Sequence, residues 1–374
     1  MQKSVENKTI FFPGLNGLRA IAALGVLFSH ITSSLGIFNV QAEFGGWLSN
    51  TREGLLIGGF GVSMFFALSG FLITYLLLRE QELQELNMKH FYMRRILRIW
   101  PLYYTYIALV LIVLFIYRVD FDIQRLTLYI FLMANIPYII GANFPWIEHY
   151  WSLGVEEQFY LFWPWIVKLC RKKILFVVIA LCALLVVLKT AFRYLDIAYS
   201  IDLPYKILHV TRFHCMLFGA LGAIFFHQKN ELFLRITTHV ISQTMAWSVI
   251  LLIIINKYHL ISFLDNEIVS LSTVVIIMGQ IGEKQKIINL DNKICDFFGK
   301  ISFGIYVIHP VLIFLYSKLL FNLSYMGGFK VVLVYLLVCV STILLAHISY
   351  NYFEKFFMTI KSRYTIVKSS GFKT

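Results

Sequence analysis

Long apolar runs separated by short polar segments make up almost the whole chain. Most of these runs approach the ~20 residues that an α-helix needs to cross the ~30 Å hydrocarbon core of a membrane. The pattern therefore predicts an all-α, polytopic bundle of transmembrane helices that forms a single domain over residues 1–374. The predicted spans are 17–36, 55–78, 100–117, 150–170, 174–192, 205–226, 236–256, 260–279, 301–320 and 329–350.

The distribution of lysine and arginine predicts the orientation of the bundle. Most of these residues lie in segments 79–98, 171–173, 227–235, 283–300 and 355–373. Basic loops remain in the cytoplasm, so both termini are predicted to be cytoplasmic and the number of crossings to be even. Segment 125–141, with Asn135 and Pro137, is therefore predicted to be a re-entrant or outer-surface segment, which leaves ten spans.

The composition excludes a soluble globular protein. Only 14% of the residues are charged and 59% are hydrophobic, with a mean hydropathy of +0.74, whereas soluble domains average about 25% charged residues. The net charge of +13 would suggest a nucleic-acid partner in a soluble protein. Here the positive-inside rule accounts for most of the basic residues, so we expect membrane lipids and no nucleic acid around the chain. An acidic ligand on the cytoplasmic side is also compatible with this charge.

The apolar run 15–30 contains one charged and one titratable residue, Arg19 and His30. They are eleven residues apart, which is about three helical turns and ~16 Å, so they share one face of the helix. One hypothesis is that Arg19 extends to the membrane interface and His30 bonds to a neighbouring helix. The other is that His30 is a general base, because a neutral imidazole accepts a proton from a hydroxyl near neutral pH.

Arg94, Arg95 and Arg98 lie at the cytoplasmic start of the third span. An ordinary positive-inside anchor would explain them. However, Arg95 and Arg98 are i, i+3 neighbours on one helix face, and two adjacent guanidinium groups suit a phosphate-bearing ligand.

Two further positions place polar groups inside apolar runs. Glu156 and Glu157 are adjacent in the span 150–170, where carboxylates are costly unless they are paired or face water. One of them could pair with His30 or Arg19, unless the helix begins later and leaves both at the outer surface. His309 precedes Pro310 and is interpreted as a packing or hydrogen-bonding residue beside a kink. The remaining histidines in or near spans are interpreted as interface residues: His149, His209, His214 and His347. No His or Cys spacing indicates a metal site.

Five motifs occur together and in order: LNGLRAIAALGVLFSH, GVSMFFALSGFLI, FYMRRILRIWPLYY, YWSLGVEEQFY and ISFGIYVIHP. Together they resemble the acyltransferase-3 family of membrane-bound O-acyltransferases, over about residues 11–350. In that family's pattern Arg19 and His30 match the Arg–ten residues–His pair, and Arg95 and Arg98 match the R-x-x-R motif. Glu156 matches the acidic position after W-S-L, with Glu157 beside it, and His309 matches the late-span histidine. Asn16 stands where many members have aspartate.

The resemblance implies a multi-pass enzyme of the bacterial inner membrane. It would move an acyl group, usually acetyl, from cytoplasmic acyl-CoA to a hydroxyl of a cell-surface carbohydrate or lipid-linked glycan. Acyl-CoA would be a substrate, and no permanently bound cofactor is expected. Some members carry a soluble C-terminal hydrolase-like domain; the short segment after the last span predicts none here.

Two alternatives remain open from the sequence. One is a glycolipid transporter or flippase, although the internal repeats common in transporters are not visible. The other keeps the acyltransferase fold but uses a small-molecule acceptor or a succinyl donor.

Overall fold

Helices follow the apolar runs of the sequence. The computed structural model describes residues 10–39, 55–260, 263–282, 286–321, 327–367 and 369–370. The helices that bear on the site are α1 (Leu15–Ser33), α2 (Leu56–Leu83), α3 (Met88–Ile116), α4 (Ile123–Ile130), α5 (Asn135–Ile139), α6 (Trp151–Leu169), α7 (Ile174–Tyr199), α8 (Leu203–Thr211), α9 (Phe213–His227), α10 (Glu231–Thr238), α11 (Val240–Ile254), α12 (Asp265–Ile281), α13 (Lys293–Leu319), α14 (Gly327–Ile348) and α15 (Lys355–Ser362). A π-helical turn, Ser349–Glu354, joins α14 to α15.

Within the described ranges, seven helices are long and apolar enough to cross a membrane. The pair α10 and α11, bent by 56°, would make an eighth if it forms one span. The predicted spans 150–170 and 260–279 are also helical, as α6 and α12, but α6 contains three charged residues and α12 has only 17 residues. The bundle of membrane helices is thus present, while the count of ten and the cytoplasmic termini stay predictions.

Segment 125–141 folds as the two short helices α4 and α5. They are eight and five residues long, or about 12 and 8 Å at 1.5 Å per residue. Leu132, between them, has a left-handed backbone with φ of 60°. Neither helix can cross a ~30 Å core, in agreement with the prediction that this stretch is not a spanning helix.

The two ends of the bundle carry different elements. We call the end that holds Arg95 and the first residues of α1, α3 and α13 the inner end, and the end with α4 and α5 the outer end. At the inner end the two-residue strands Ile10–Phe11 and Ser369–Ser370 pair in parallel. The positive-inside prediction assigns the inner end to the cytoplasm.

Close packing of α2 against α9 depends on two glycines. A Cβ added at Gly70 would collide with the backbone carbonyl of Met216, and one at Gly219 would collide with that of Ala67. Small residues at such crossings let helix backbones approach closely in membranes. On another face of α2, α1 packs between α2 and α13 and so brings Arg19 and His30 to the centre of the bundle.

A buried ion pair joins α7 to α12. Lys189 Nζ lies 2.7 and 3.0 Å from the two carboxylate oxygens of Glu267, and His214 Nε2 lies 3.1 Å from the same carboxylate. The side chains of Lys189 and Glu267 are only 1% and 5% exposed. The effect of such a pair on stability is largest when one partner is removed, because the other charge is then left buried without a counter-ion.

We therefore expect Lys189→Met to lower the free energy of unfolding by about 3–5 kcal/mol. The control is Lys206→Met, because Lys206 forms an exposed pair with Asp202 that should contribute almost nothing. Denaturation in detergent, followed by circular dichroism, measures both variants. Equal stability of the native protein and Lys189→Met would show that the pair is not needed to hold α7 against α12.

Candidate functional site

A cavity of about 420 Å³ lies in the inner half of the bundle. It is bounded by α1, α2, α3, α6, α13 and the segment from the π-helical turn to α15. The charged side chains that line it are Arg19, Arg95, Arg98, Glu156, Lys300, Glu354 and Lys361. A partly buried space with five cationic and two acidic groups is suited to an anionic ligand.

Arg95 and Arg98 both line this cavity, as their shared helix face predicts. The guanidinium carbon of Arg95 lies 5.7 Å from the ring centroid of Tyr160 and 5.9 Å from that of Phe91. Its Nε is buried and has no hydrogen-bond partner among the described residues. Arg95 is therefore held in place by aromatic contacts, with donor capacity left for a ligand.

Arg94 lies outside the cavity lining, although it was grouped with the donor-binding arginines on sequence. Its Nη2 donates to Glu80 at 2.7 Å, and its Nη1 donates to the backbone carbonyl of Tyr364 at 2.8 Å. Both side chains of the Arg94–Glu80 pair are buried. The structure thus places Arg94 in a joint between α2, α3 and the segment after α15, where it has a structural role.

Arg19 and Glu156 meet at the cavity but do not bond to each other in the described structure. Arg19 Nη1 donates to Asn16 Oδ1 at 3.2 Å. Glu156 accepts hydrogen bonds from the hydroxyls of Ser69 and Tyr160. The expected pairing of Glu156 with His30 or Arg19 is therefore replaced by two hydroxyl donors.

Glu157 points away from the cavity lining. Its Oε2 accepts a hydrogen bond from Trp100 Nε1 at 3.0 Å. This contact ties α6 to α3 and gives Glu157 a supporting position behind the cavity.

His30 and His309 form a hydrogen bond of 2.7 Å between His30 Nδ1 and His309 Nε2. His309 Nδ1 lies 2.9 Å from the backbone carbonyl of Ile305, which can only accept, so Nδ1 carries the proton. In the neutral pair, His309 Nε2 must then accept from His30 Nδ1. The lone pair of His30 is consequently on Nε2, the nitrogen that a base would use.

A third imidazole, His149, completes this group. Its ring centroid is 6.4 Å from that of His30 and 5.4 Å from that of His309. Its Nε2 is buried with no hydrogen-bond partner in the described structure. Sequence analysis placed His149 among interface residues because no pattern links it to α1.

Tyr306 separates the cavity from the three histidines. It lines the cavity, and its ring centroid lies 5.2 Å from that of His149 and 6.3 Å from that of His309. Its hydroxyl donates to the carbonyl of His149 at 2.7 Å and lies 2.5 Å from Ser152 Oγ. The only signal for Tyr306 in the sequence is its position one helical turn before His309.

The two halves of the predicted site therefore occupy neighbouring compartments. Arg19, Arg95, Arg98 and Glu156 surround the inner cavity, whereas His30 and His309 lie beyond Tyr306. Within the described ranges, no cluster of three or more His, Cys, Asp or Glu side chains has the arrangement of a metal site. The arrangement can bind an anion at one end and accept a proton at the other.

Comparison with known proteins identifies the family. A family model described as an acyltransferase domain matches residues 12–350. A Staphylococcus aureus strain COL protein with the provisional name of O-acetyltransferase is 29% identical over 385 residues, covering 93% of this chain and 57% of the relative. The O-acetyltransferase OatA of S. aureus strain NCTC 8325 is 27% identical over 394 residues, covering 97% of this chain and 58% of OatA.

The chain spans less than two thirds of the length of these relatives. No solved structure matches the chain. The family match covers all five motifs, from the helix with Arg19 and His30 to the helix with His309. The chain therefore belongs to the acyltransferase-3 family of membrane acyltransferases.

Proposed function

We propose that this protein is an integral-membrane O-acyltransferase of the bacterial inner membrane. It moves an acyl group, acetyl in the simplest case, from cytoplasmic acyl-CoA to a hydroxyl of a cell-surface carbohydrate or its lipid-linked precursor. The O-acetyltransferase names of the relatives support the acetyl group and the oxygen acceptor. The observation that carries the proposal is that a basic cavity at the inner end adjoins, through Tyr306, the hydrogen-bonded pair of His309 and His30, in which the lone pair of His30 lies on Nε2.

The donor enters at the inner end. Arg95 and Arg98 bind its phosphates because guanidinium groups form paired, charge-assisted hydrogen bonds with phosphate oxygens. The long neutral arm of acyl-CoA extends into the cavity past Arg19 and Ser69. For the thioester to reach His30, the Tyr306 hydroxyl must leave Ser152 and the carbonyl of His149.

The acceptor hydroxyl meets the thioester at His30. His30 Nε2 removes the hydroxyl proton as the oxygen attacks the thioester carbonyl. The new carbon–oxygen bond forms, the carbon–sulfur bond breaks, and the proton on His30 returns to the CoA thiolate. His309 Nε2 accepts the hydrogen bond from His30 Nδ1–H throughout and so stabilises the imidazolium. Arg19, about three helical turns away in the inner cavity, orders the arm of the donor.

The proposal predicts a chemical change on the cell surface. Surface polysaccharide should show O-acetyl signals in its NMR spectrum when this protein is produced, and lose them when its gene is deleted. Re-expression of His30→Gln should not restore the signals, whereas re-expression of the native protein should. Identical O-acetyl signals with and without the protein would contradict a polysaccharide acceptor.

A further inference from the structure

The mouth of the cavity contains a lysine that lies outside all five sequence motifs. Lys361 belongs to α15, the short helix that follows the π-helical turn, and it lines the same cavity as Arg95 and Arg98. We propose that Lys361 binds phosphate groups of the nucleotide part of acyl-CoA and completes a phosphate subsite with Arg95 and Arg98. This inference rests on the proposed function and names the part of the donor that the mouth recognises.

The position of Lys361 follows from one continuous helix face. Tyr350, Glu354, Met358 and Lys361 all line the cavity, and their spacings of four, four and three residues place them on a single stripe. Lys355 of the same helix is exposed and is absent from this lining. The side chain of Lys361 therefore lies on the helix face that lines the cavity.

Two contacts hold α15 against α3. The helix packs directly on α3, and Arg94 Nη1 donates to the backbone carbonyl of Tyr364 just after α15 ends. Arg94 is adjacent to Arg95, so the same contact keeps Lys361 close to the paired arginines. Arg94 thus also holds the end of α15, which forms one side of the cavity, against α3.

Cationic side chains outnumber acidic ones among the residues that line the cavity. Both carboxylates are already engaged: Glu156 with the hydroxyls of Ser69 and Tyr160, and Glu354 with Ser349 Oγ at 3.0 Å. Among the described residues, Arg95, Arg98 and Lys361 form no ion pair.

Like charges held together in a partly buried space repel one another, so an anion in the mouth would relieve the repulsion. The ligand must carry several negative charges at one end and a neutral portion long enough to continue toward Tyr306. The pyrophosphate and ribose phosphate of acyl-CoA, followed by its pantetheine arm, fit this description. Lysine suits phosphate as a compact point charge beside the planar guanidinium groups.

The test compares three donors that differ only in the nucleotide: acetyl-CoA, its 3′-dephospho form and acetyl-pantetheine. Their dissociation constants are measured in detergent for the native protein and for Lys361→Gln. Loss of one charge-assisted contact should weaken acetyl-CoA binding by about tenfold. Binding of acetyl-pantetheine, which has no nucleotide, should be unchanged.

Two variants control this experiment. Lys355→Gln removes the same charge from the exposed face of α15 and should bind acetyl-CoA like the native protein. Lys361→Arg keeps the charge and should retain most of the affinity. Native affinity for acetyl-CoA in Lys361→Gln, or an equal loss for acetyl-pantetheine, would overturn the assignment.

Three outcomes separate the alternatives. If phosphatidylglycerol in the micelles competes with acetyl-CoA in the native protein but not in Lys361→Gln, the lysine holds a lipid phosphate and the inference is wrong. If the native protein binds none of the three donors, the proposed function itself fails. Binding by the native protein with no effect of Lys361→Gln would leave the proposed function intact and overturn only the subsite.

Discussion

Replacing His30 with glutamine should lower the rate of acetyl transfer by about 10²–10⁴-fold, the usual cost of losing a general base. Glutamine keeps an amide that can donate to His309 Nε2, so the hydrogen bond across α1 and α13 is preserved. Glutamine has no basic nitrogen, so no group at this position can remove the proton of the acceptor hydroxyl. Acetyl-CoA binding should stay nearly normal because His30 does not line the inner cavity.

The rate is measured in detergent with acetyl-CoA and a soluble sugar acceptor. The control is His347→Gln, an exposed histidine of α14, which should keep the native rate. The native rate should also fall as pH drops through the pKa of the catalytic histidine, since protonation of Nε2 removes the lone pair that accepts the proton. A His30→Gln enzyme with most of the native rate would exclude His30 as the base and direct attention to Glu156.

Replacing Arg95 or Arg98 with alanine should weaken acetyl-CoA binding by about 10–100-fold. This range corresponds to about 1.5–3 kcal/mol for a hydrogen bond to a charged group, at tenfold per ~1.4 kcal/mol. Both side chains line the cavity, and neither forms an ion pair among the described residues. Their removal therefore costs mainly ligand contacts.

Lysine at either position should restore binding only in part, because it supplies a point charge without the planar pair of donors. Arg171→Ala is the matched control: it removes an exposed arginine at the same end of the bundle and should leave binding unchanged. Titration of the purified variants with acetyl-CoA by calorimetry gives the dissociation constants. Normal binding by both alanine variants would mean that Arg95 and Arg98 serve only to orient the protein in the membrane.

Patterns local to one helix predicted a large part of this architecture. The apolar runs place the helices, and the three-residue spacing of Arg95 and Arg98 correctly predicts that both face the same space. The bond between His30 and His309 agrees with the hydrogen-bonding role expected for a polar residue beside Pro310. These inferences succeed because helical periodicity is set by the backbone.

Helical periodicity does not predict contacts between segments that are distant in the sequence. Arg94 is indistinguishable from Arg95 by composition, and only the folded structure brings it to Glu80 in the last turn of α2. His149 lies beside His30, and Tyr306 lies beside His149, because the turn before α6 meets α1 and α13 at the centre of the bundle. Hydropathy alone also misjudges α6, which has the length of a span but contains three charged residues.

The most direct test of the account is vectorial transfer in proteoliposomes. Radiolabelled acetyl-CoA is supplied only outside the vesicles, and an acceptor glycan is enclosed within them. We predict labelled O-acetyl groups on the enclosed glycan with the native protein, and a rate at least about 10²-fold lower with His30→Gln. Label that reaches the glycan only when donor and acceptor share one side, or that accumulates equally with His30→Gln, would contradict the account.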